Sequence, residues 1–253
     1  MKQFRATVAG ITALMVMSGA ASAATLALDE IRNFTTSSTG YVVLDGLNDA
    51  FDGYGLITGL PSSVSVTRDV QTLEDIRTYR VLDTFTNNSS SDVSVSITYF
   101  TNLGSDGNEE VVREGRDTSI TYENPPSSTL PDPVIAFTYG NNAFSRNNLT
   151  GDVSSNAFNL TATFDLAAGE STSILQFATL VLESGIRTGE VALAELISSD
   201  LRDSPFALGG ISSRQAELIA NFTGAEVPLP ASSLLLGAGL LGFGALRRRK
   251  SRG

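Results

Sequence analysis

Phe158-Asn159-Leu160-Thr161-Ala162-Thr163-Phe164-Asp165-Leu166 decides the fold class. Phe158, Leu160, Ala162, Phe164 and Leu166 alternate with Asn159, Thr161, Thr163 and Asp165. Successive side chains of an extended chain point to opposite faces, so this alternation describes a strand with one buried face and one wet one. Val93, Val95, Ile97 and Tyr99 alternate with Ser94, Ser96 and Thr98 in the same way. Shorter strand candidates are Tyr41–Leu44, Val64–Thr67, Tyr79–Thr86, Ser119–Tyr122, Val134–Tyr139 and Ile174–Leu182. Turn-forming clusters separate them: Asn87-Asn88-Ser89-Ser90-Ser91, Gly104-Ser105-Asp106-Gly107-Asn108, Asn124-Pro125-Pro126 and Asn147–Asp152. Some eight strands so punctuated predict an all-β, antiparallel β-sandwich.

Beyond the strands the period changes. Val191, Ala194, Leu196, Ile197 and Leu201 form a helical face over Gly189–Asp203, and Ser212 or Ser213 suits the N-cap of a second short helix reaching Phe222. These short C-terminal helices are expected to pack on the sandwich or to form a stalk. The predicted organisation is a signal peptide over 1–23, a β-sandwich domain over 24–188, a helical segment or stalk over 189–226 and a sorting tail over 227–253.

Charge separates the same parts. The chain has 253 residues, with 17 Lys and Arg against 27 Asp and Glu. Lys2 and Arg5 lie in the first 23 residues and five more bases lie beyond Glu226, with no acid in either end. The ten bases of 24–226, all Arg, therefore face all 27 acids, a net of −17. Such a body repels nucleic acid and anionic headgroups, so nucleic acid is excluded as a partner. There is no Cys, His or Trp. Disulfides and thiolate metal sites are thereby ruled out, and the commonest general base is missing.

Both ends read as targeting segments. Met1-Lys2-Gln3-Phe4-Arg5, the apolar run Ala6–Met17 and Ala21-Ser22-Ala23 are the three parts of a secretory signal peptide, with Ala23 the residue before the cut. Signal peptidase is the implied partner. At the other end Val227-Pro228-Leu229-Pro230-Ala231 precedes an uncharged run, Ser232–Leu246, and then Arg247, Arg248, Arg249 and Lys250. As a helix the run reaches about 22 Å, which predicts a short single C-terminal transmembrane helix lengthened by its flanks. The basic cluster holds its end in the cytoplasm, so the acidic domain lies outside. Pro228 and Pro230 keep the preceding segment extended, the form a transpeptidase cleft accepts.

This tail resembles the PEP-CTERM class of bacterial sorting signals, in its VPLPA variant. The resemblance implies a Gram-negative host and processing by an exosortase-type membrane enzyme that recognises Val227, Pro228, Leu229, Pro230 and Ala231. It implies an inner-membrane-tethered intermediate, then a place at the cell surface or outside, with a link to extracellular polysaccharide. It implies no activity for the domain, because unrelated domains share such tails. Thr84–Asn88 and Asn102–Gly107 resemble the turns of tandem sandwich modules in other secreted bacterial proteins, which implies architecture alone.

Candidate chemistry is sparse. Asp45, Asp49 and Asp52 stand among Gly and Asn, a composition suited to the six to eight oxygens of Ca²⁺, though the spacing is not that of an EF-hand loop. Asp106, Asn108, Glu109 and Glu110 form a second acidic cluster, which also reads as a solvated hairpin tip. No other cofactor is expected. Serine catalysis lacks its His, a Ser–Lys dyad lacks its Lys within 24–226, and no phosphate-binding loop is present. Paired carboxylates could run glycoside hydrolysis, but 27 acids supply such pairs by chance. The expectation is an exported, non-enzymatic envelope or matrix protein. The alternatives are a calcium-dependent carbohydrate-binding module and a glycoside hydrolase.

Overall fold

Eleven strands, all paired antiparallel, form two sheets in the computed structural model, which describes residues 34–36, 39–42, 53–103, 109–114, 117–123, 133–154, 156–182, 187–205 and 211–224. The strands are β1 (Phe34–Thr36), β2 (Gly53–Thr58), β3 (Val64–Leu73), β4 (Thr78–Asn87), β5 (Val93–Asn102), β6 (Glu109–Glu114), β7 (Thr118–Glu123), β8 (Val134–Thr138), β9 (Leu149–Ser154), β10 (Ala157–Leu166) and β11 (Ser171–Val181). The larger sheet runs β1-β3-β4-β11-β8-β7-β6 and the smaller runs β2-β5-β10-β9. Among the described residues three α-helices accompany them, α1 (Ala143–Asn148), α2 (Arg187–Asp203) and α3 (Ser213–Leu218), with a 3-10 turn at Glu74–Ile76.

The alternation of 158–166 becomes β10, whose inward residues meet the opposite sheet directly. Phe158 stacks on Phe137 of β8 with ring centroids 4.0 Å apart, and Phe164 packs on Phe85 of β4 at 5.3 Å. Val66, Val70, Val81, Ile97, Leu160, Ile174 and Leu180 fill the space between. Burial of this apolar surface is the main force holding the sheets together.

The larger sheet has apolar residues on its other face too. Leu82, Ile120, Ala136, Leu175 and Phe177 point away from the smaller sheet and are covered by Ala194, Ile197 and Leu201 of α2 and by Ile219 and Phe222. This explains why β8 and β11 read as nearly continuous apolar runs: strands buried on both faces lose the alternation. Ser198 of α2 exchanges hydrogen bonds with Thr138 (2.7 Å) and Thr118 (3.2 Å), which sets the helix on the sheet. The segment predicted as helical thus packs on the body.

Several boundaries differ from the sequence reading. The strands β1, β2, β6 and β9 add to the predicted set. Asn147–Asp152, read as a turn, is instead the end of α1 and the start of β9. Leu149 and Val153 do face inward there, but Gly151 stands at the inward position between them and hides the period. The helix α1 starts at Asn142, whose side chain accepts from Ser145 N while Ser145 Oγ accepts from Asn142 N, a reciprocal cap. The same cap recurs at Ser212 and Gln215 before α3. Residues 43–52 and 104–108, and the side chains of β6, lie outside what is described, and so do 1–33 and 225–253. Ala23 and the apolar span Ser232–Leu246 therefore lie outside the described residues. Among the described residues no helix is long and apolar enough to cross a membrane.

The last described segment is stitched to the body by asparagines. Asn221 is fully buried. Its Nδ2 donates to the carbonyls of Leu175 (2.7 Å) and Tyr139 (2.8 Å), and its Oδ1 accepts from Leu175 N (3.0 Å). Asn141 Nδ2 donates to the carbonyls of Arg202 (2.6 Å) and Thr223 (2.9 Å), while Oδ1 accepts from Thr223 N (2.7 Å). Asn142 Nδ2 reaches the Ala220 carbonyl at 2.8 Å, and Ala220 N donates to Ser173 O at 3.0 Å. Replacing Asn221 with Ala strands three backbone groups, so the variant should lose about 3 kcal/mol of unfolding free energy in urea titration.

Candidate functional site

The core between the sheets holds a closed polar cluster. Arg68 of β3 and Asp83 of β4 are register partners and both are 0% exposed. Arg68 Nε donates to Asp83 Oδ1 at 2.7 Å and Nη2 to Oδ2 at 2.9 Å, a two-pronged pairing, while Nη1 donates to Gly40 O at 3.1 Å. Gly55, at φ +68°, lets β2 pass close: a Cβ there would stand 3.3 Å from Nη2. Nearby, Tyr54 Oη donates to Gln176 Oε1 at 3.0 Å.

The electrostatics make this cluster a brace. Burial by itself would lower the Arg68 pKa, but the charge and hydrogen bonds of Asp83 outweigh it and the pKa is raised. Burial pushes the Tyr54 and Tyr99 hydroxyls well up, with Asp83 adding to the effect and Arg68 opposing it. The Asp83 carboxylate acts on Tyr99 without meeting hydrogen-bond geometry with its hydroxyl. Acid–base catalysis needs a group that reaches substrate and titrates near the working pH. These phenols are sealed from solvent and stay protonated.

Among the described residues, the outward side chains of the smaller sheet are exposed or half-buried. Register places Thr58 (β2), Thr98 (β5), Thr161 (β10) and Thr150 (β9) in one row, one threonine from each strand. Thr163 and Ser96 form the start of a parallel row, and Ser94 donates to Asp165 at 2.6 Å beyond it. On the other side of the threonine row stand Leu56, Phe100, Asn159 and Asp152. Tyr41, 47% exposed, lies edge-on to Phe100 at 6.3 Å. Its ring occupies the space where a Cβ of Gly53 would be. The alternation of β5 and β10 foretold which residues face water. That one residue from each strand falls into a single threonine row follows from strand register, which the sequence does not display.

Asp45, Asp49 and Asp52, the candidate calcium ligands, lie outside the described residues, as do Asp106 and Asn108. Glu109 and Glu110 stand in β6, not at a hairpin tip. Among the described residues no group of three or more His, Cys, Asp or Glu side chains gathers to hold a metal. Asn87 and Asn221, each of which begins an Asn-x-Ser/Thr triplet in the sequence, are fully buried and give their amide nitrogens to backbone carbonyls.

Residues 226–250 match the family of the PEP-CTERM protein-sorting motif. The tail carries a PEP-CTERM motif. That motif marks an exported protein sorted to the cell surface or the extracellular space, and it implies recognition by exosortase-type machinery. Val227–Ala231 and the basic cluster Arg247–Lys250 lie inside the matched span. No curated protein matches the chain. Among solved structures, a protein assigned as a kojibiose phosphorylase from the human microbiome is 8% identical with a TM-score of 0.42, over 75% of this chain and 26% of that one. A protein assigned as an aldose 1-epimerase from Klebsiella pneumoniae is 10% identical (TM-score 0.35, 69% of this chain and 57% of that one). A polysaccharide lyase is 11% identical (TM-score 0.39, 69% and 35%). The chain thus spans between about a quarter and a little over half of their lengths, and no residue role passes from them to it.

Two outcomes follow from the polar cluster. Asp83→Asn leaves a buried guanidinium without its counter-charge, so urea denaturation should show a loss of about 3–5 kcal/mol. The second outcome concerns alkali. Native Tyr54 and Tyr99 hold their protons above the unfolded value of about 10, so their contribution is intact below that pH and lost as pH rises beyond it. Melting temperature should therefore fall between about pH 10 and 12.

Proposed function

We propose that this chain is a non-enzymatic protein of the bacterial envelope or extracellular matrix, exported through its signal peptide, processed at Val227–Ala231 and displayed outside the cell. The observation that carries the reading is the sorting motif over 226–250. On this reading the mature species starts at Ala24, and a single C-terminal helix with a cytoplasmic basic end anchors the intermediate in the inner membrane. Its partners are signal peptidase and an exosortase-type sorting enzyme.

The threonine row supplies the contact surface in this proposal. Its hydroxyls donate and accept without charge, and the Tyr41–Phe100 pair offers an apolar ledge beside them. Among the described residues the face carries no cation, and the body at −17 disfavours polyanions. A neutral extracellular polysaccharide fits such a surface.

Intact mass of the native protein from fractionated cells tests the first part. A species from Ala24 to the Val227–Ala231 region outside the inner membrane supports it, while one ending at Gly253 in the inner membrane refutes it. Replacing Pro228 and Pro230 with Ala should leave export unchanged and block C-terminal processing. For the contact face, the Thr58→Glu, Thr150→Glu double variant, exposed on the two outer strands of the row and separated by β5 and β10, should keep its melting temperature. Its retention by the extracellular matrix should drop about tenfold, equivalent to about 1.4 kcal/mol of binding. Undiminished retention would remove the face from the proposal.

A further inference from the structure

The described residues reach Gly224, two positions before the matched sorting motif begins. Thr223 is held by Asn141 through its amide, its carbonyl and its hydroxyl. Phe222 just before it is buried edge-on against Phe177 of β11 at 5.7 Å. Only Gly224 and Ala225 separate Thr223 from Glu226, the first matched residue. Four Cα steps join Thr223 to Val227, a reach of about 14 Å at full extension. A compact body of about 190 residues has a radius of gyration of about 16 Å. The leash is shorter than the body it holds. Any enzyme that grips Val227–Ala231 must therefore stand against the end of the domain where Thr223 is fastened.

We infer that this end, formed by Asn141, Asn142, the α2 terminus at Arg202–Asp203 and the segment up to Thr223, is the contact surface for the membrane transpeptidase that processes the motif. The inference rests on the sorting reading and adds to it the face that meets the enzyme. The surface is polar. The Arg146 side chain is 53% exposed beside Asp117, and Asp203 is exposed. At −17 the domain is repelled by anionic headgroups, which favours a protein partner over the lipid surface. The asparagine bonds fix the direction in which the chain leaves the body, so the enzyme always meets the same face.

Site-specific photocrosslinking in the native host, with the full chain and a tagged sorting enzyme, tests this. The photoreactive residue replaces Asp203 at the fastened end, or Asp75, exposed in the turn before β4. That strand begins beside Thr179, six positions along β11 from the Ser173 that binds the fastened segment, so about 20 Å lies between the two ends. Crosslinking to the enzyme should be at least about fivefold stronger from position 203 than from 75, because the short leash raises the local concentration of the enzyme at one end only. Inserting twelve Gly and Ser residues after Gly224 should erase the difference while processing continues. Equal crosslinking from both positions, a difference that survives the insertion, or crosslinks to lipid alone would each overturn the inference. A chain that is processed normally but gives no crosslink from position 203 defeats the inference and spares the sorting reading. A chain that keeps Gly253 and meets the enzyme from neither position defeats both.

Discussion

A guanidinium and a carboxylate facing each other at 0% exposure set the constraint around which the two sheets are arranged. Burying two charges is costly, and their attraction offsets that cost only when geometry and hydrogen bonding are complete. Arg68 and Asp83 meet that condition by sitting on paired strands, with the third guanidinium nitrogen taken by Gly40. The condition reaches further. Gly55 must lack a side chain so that β2 can approach the guanidinium, and Tyr54 and Gln176 close the space beside it. A strand that slipped by one residue would turn Arg68 to solvent and leave Asp83 buried without a partner. The pair is therefore better understood as fixing register than as adding net stability. Stability comes from the surrounding apolar layer, above all the Phe137–Phe158 and Phe85–Phe164 contacts between sheets.

A chain without cysteine needs other means of securing its turns and its last segment, and here asparagine serves. One amide can donate twice and accept twice, which lets a single side chain stand in for a stretch of strand pairing. Asn87 binds the Ser91, Leu166 and Ala167 carbonyls and holds two turns together. Asn221 borrows the backbone groups of Leu175 as a neighbouring strand would. Asn141 and Asn142 complete the fastening next to the motif. The same amides fix the position of Thr223, three residues before the matched sorting motif.

The two faces of the body have different fates. Helix α2 and the segment after α3 cover the outer face of the larger sheet, because Leu82, Leu175 and Phe177 demand it. The smaller sheet presents mainly threonine, serine, asparagine and aspartate outward, with Leu56 and Phe100 at one side. The hydroxyl-rich face and the tail that carries the sorting motif differ in chemistry, the tail being apolar and basic.

The alternation over 158–166 and 93–99 was enough to establish strands with one wet face, because side-chain direction in an extended chain is a local property. The change of period at Gly189–Asp203 and the Ser212 cap were legible for the same reason. The sorting motif needed no fold at all, since an extended pentapeptide, an apolar run and a basic cluster are read as a linear signal. Other features depend on residues distant in sequence. The pairing of Arg68 with Asp83, the approach of Gly55, the threonine row and the fastening of Thr223 by Asn141 all require strand order and register. Gly151 concealed β9 because its inward side carries no side chain to reveal a period. Local geometry writes itself into the order of residues. Which charges meet, which hydroxyls align and where the chain is tied are settled only when separate strands come together.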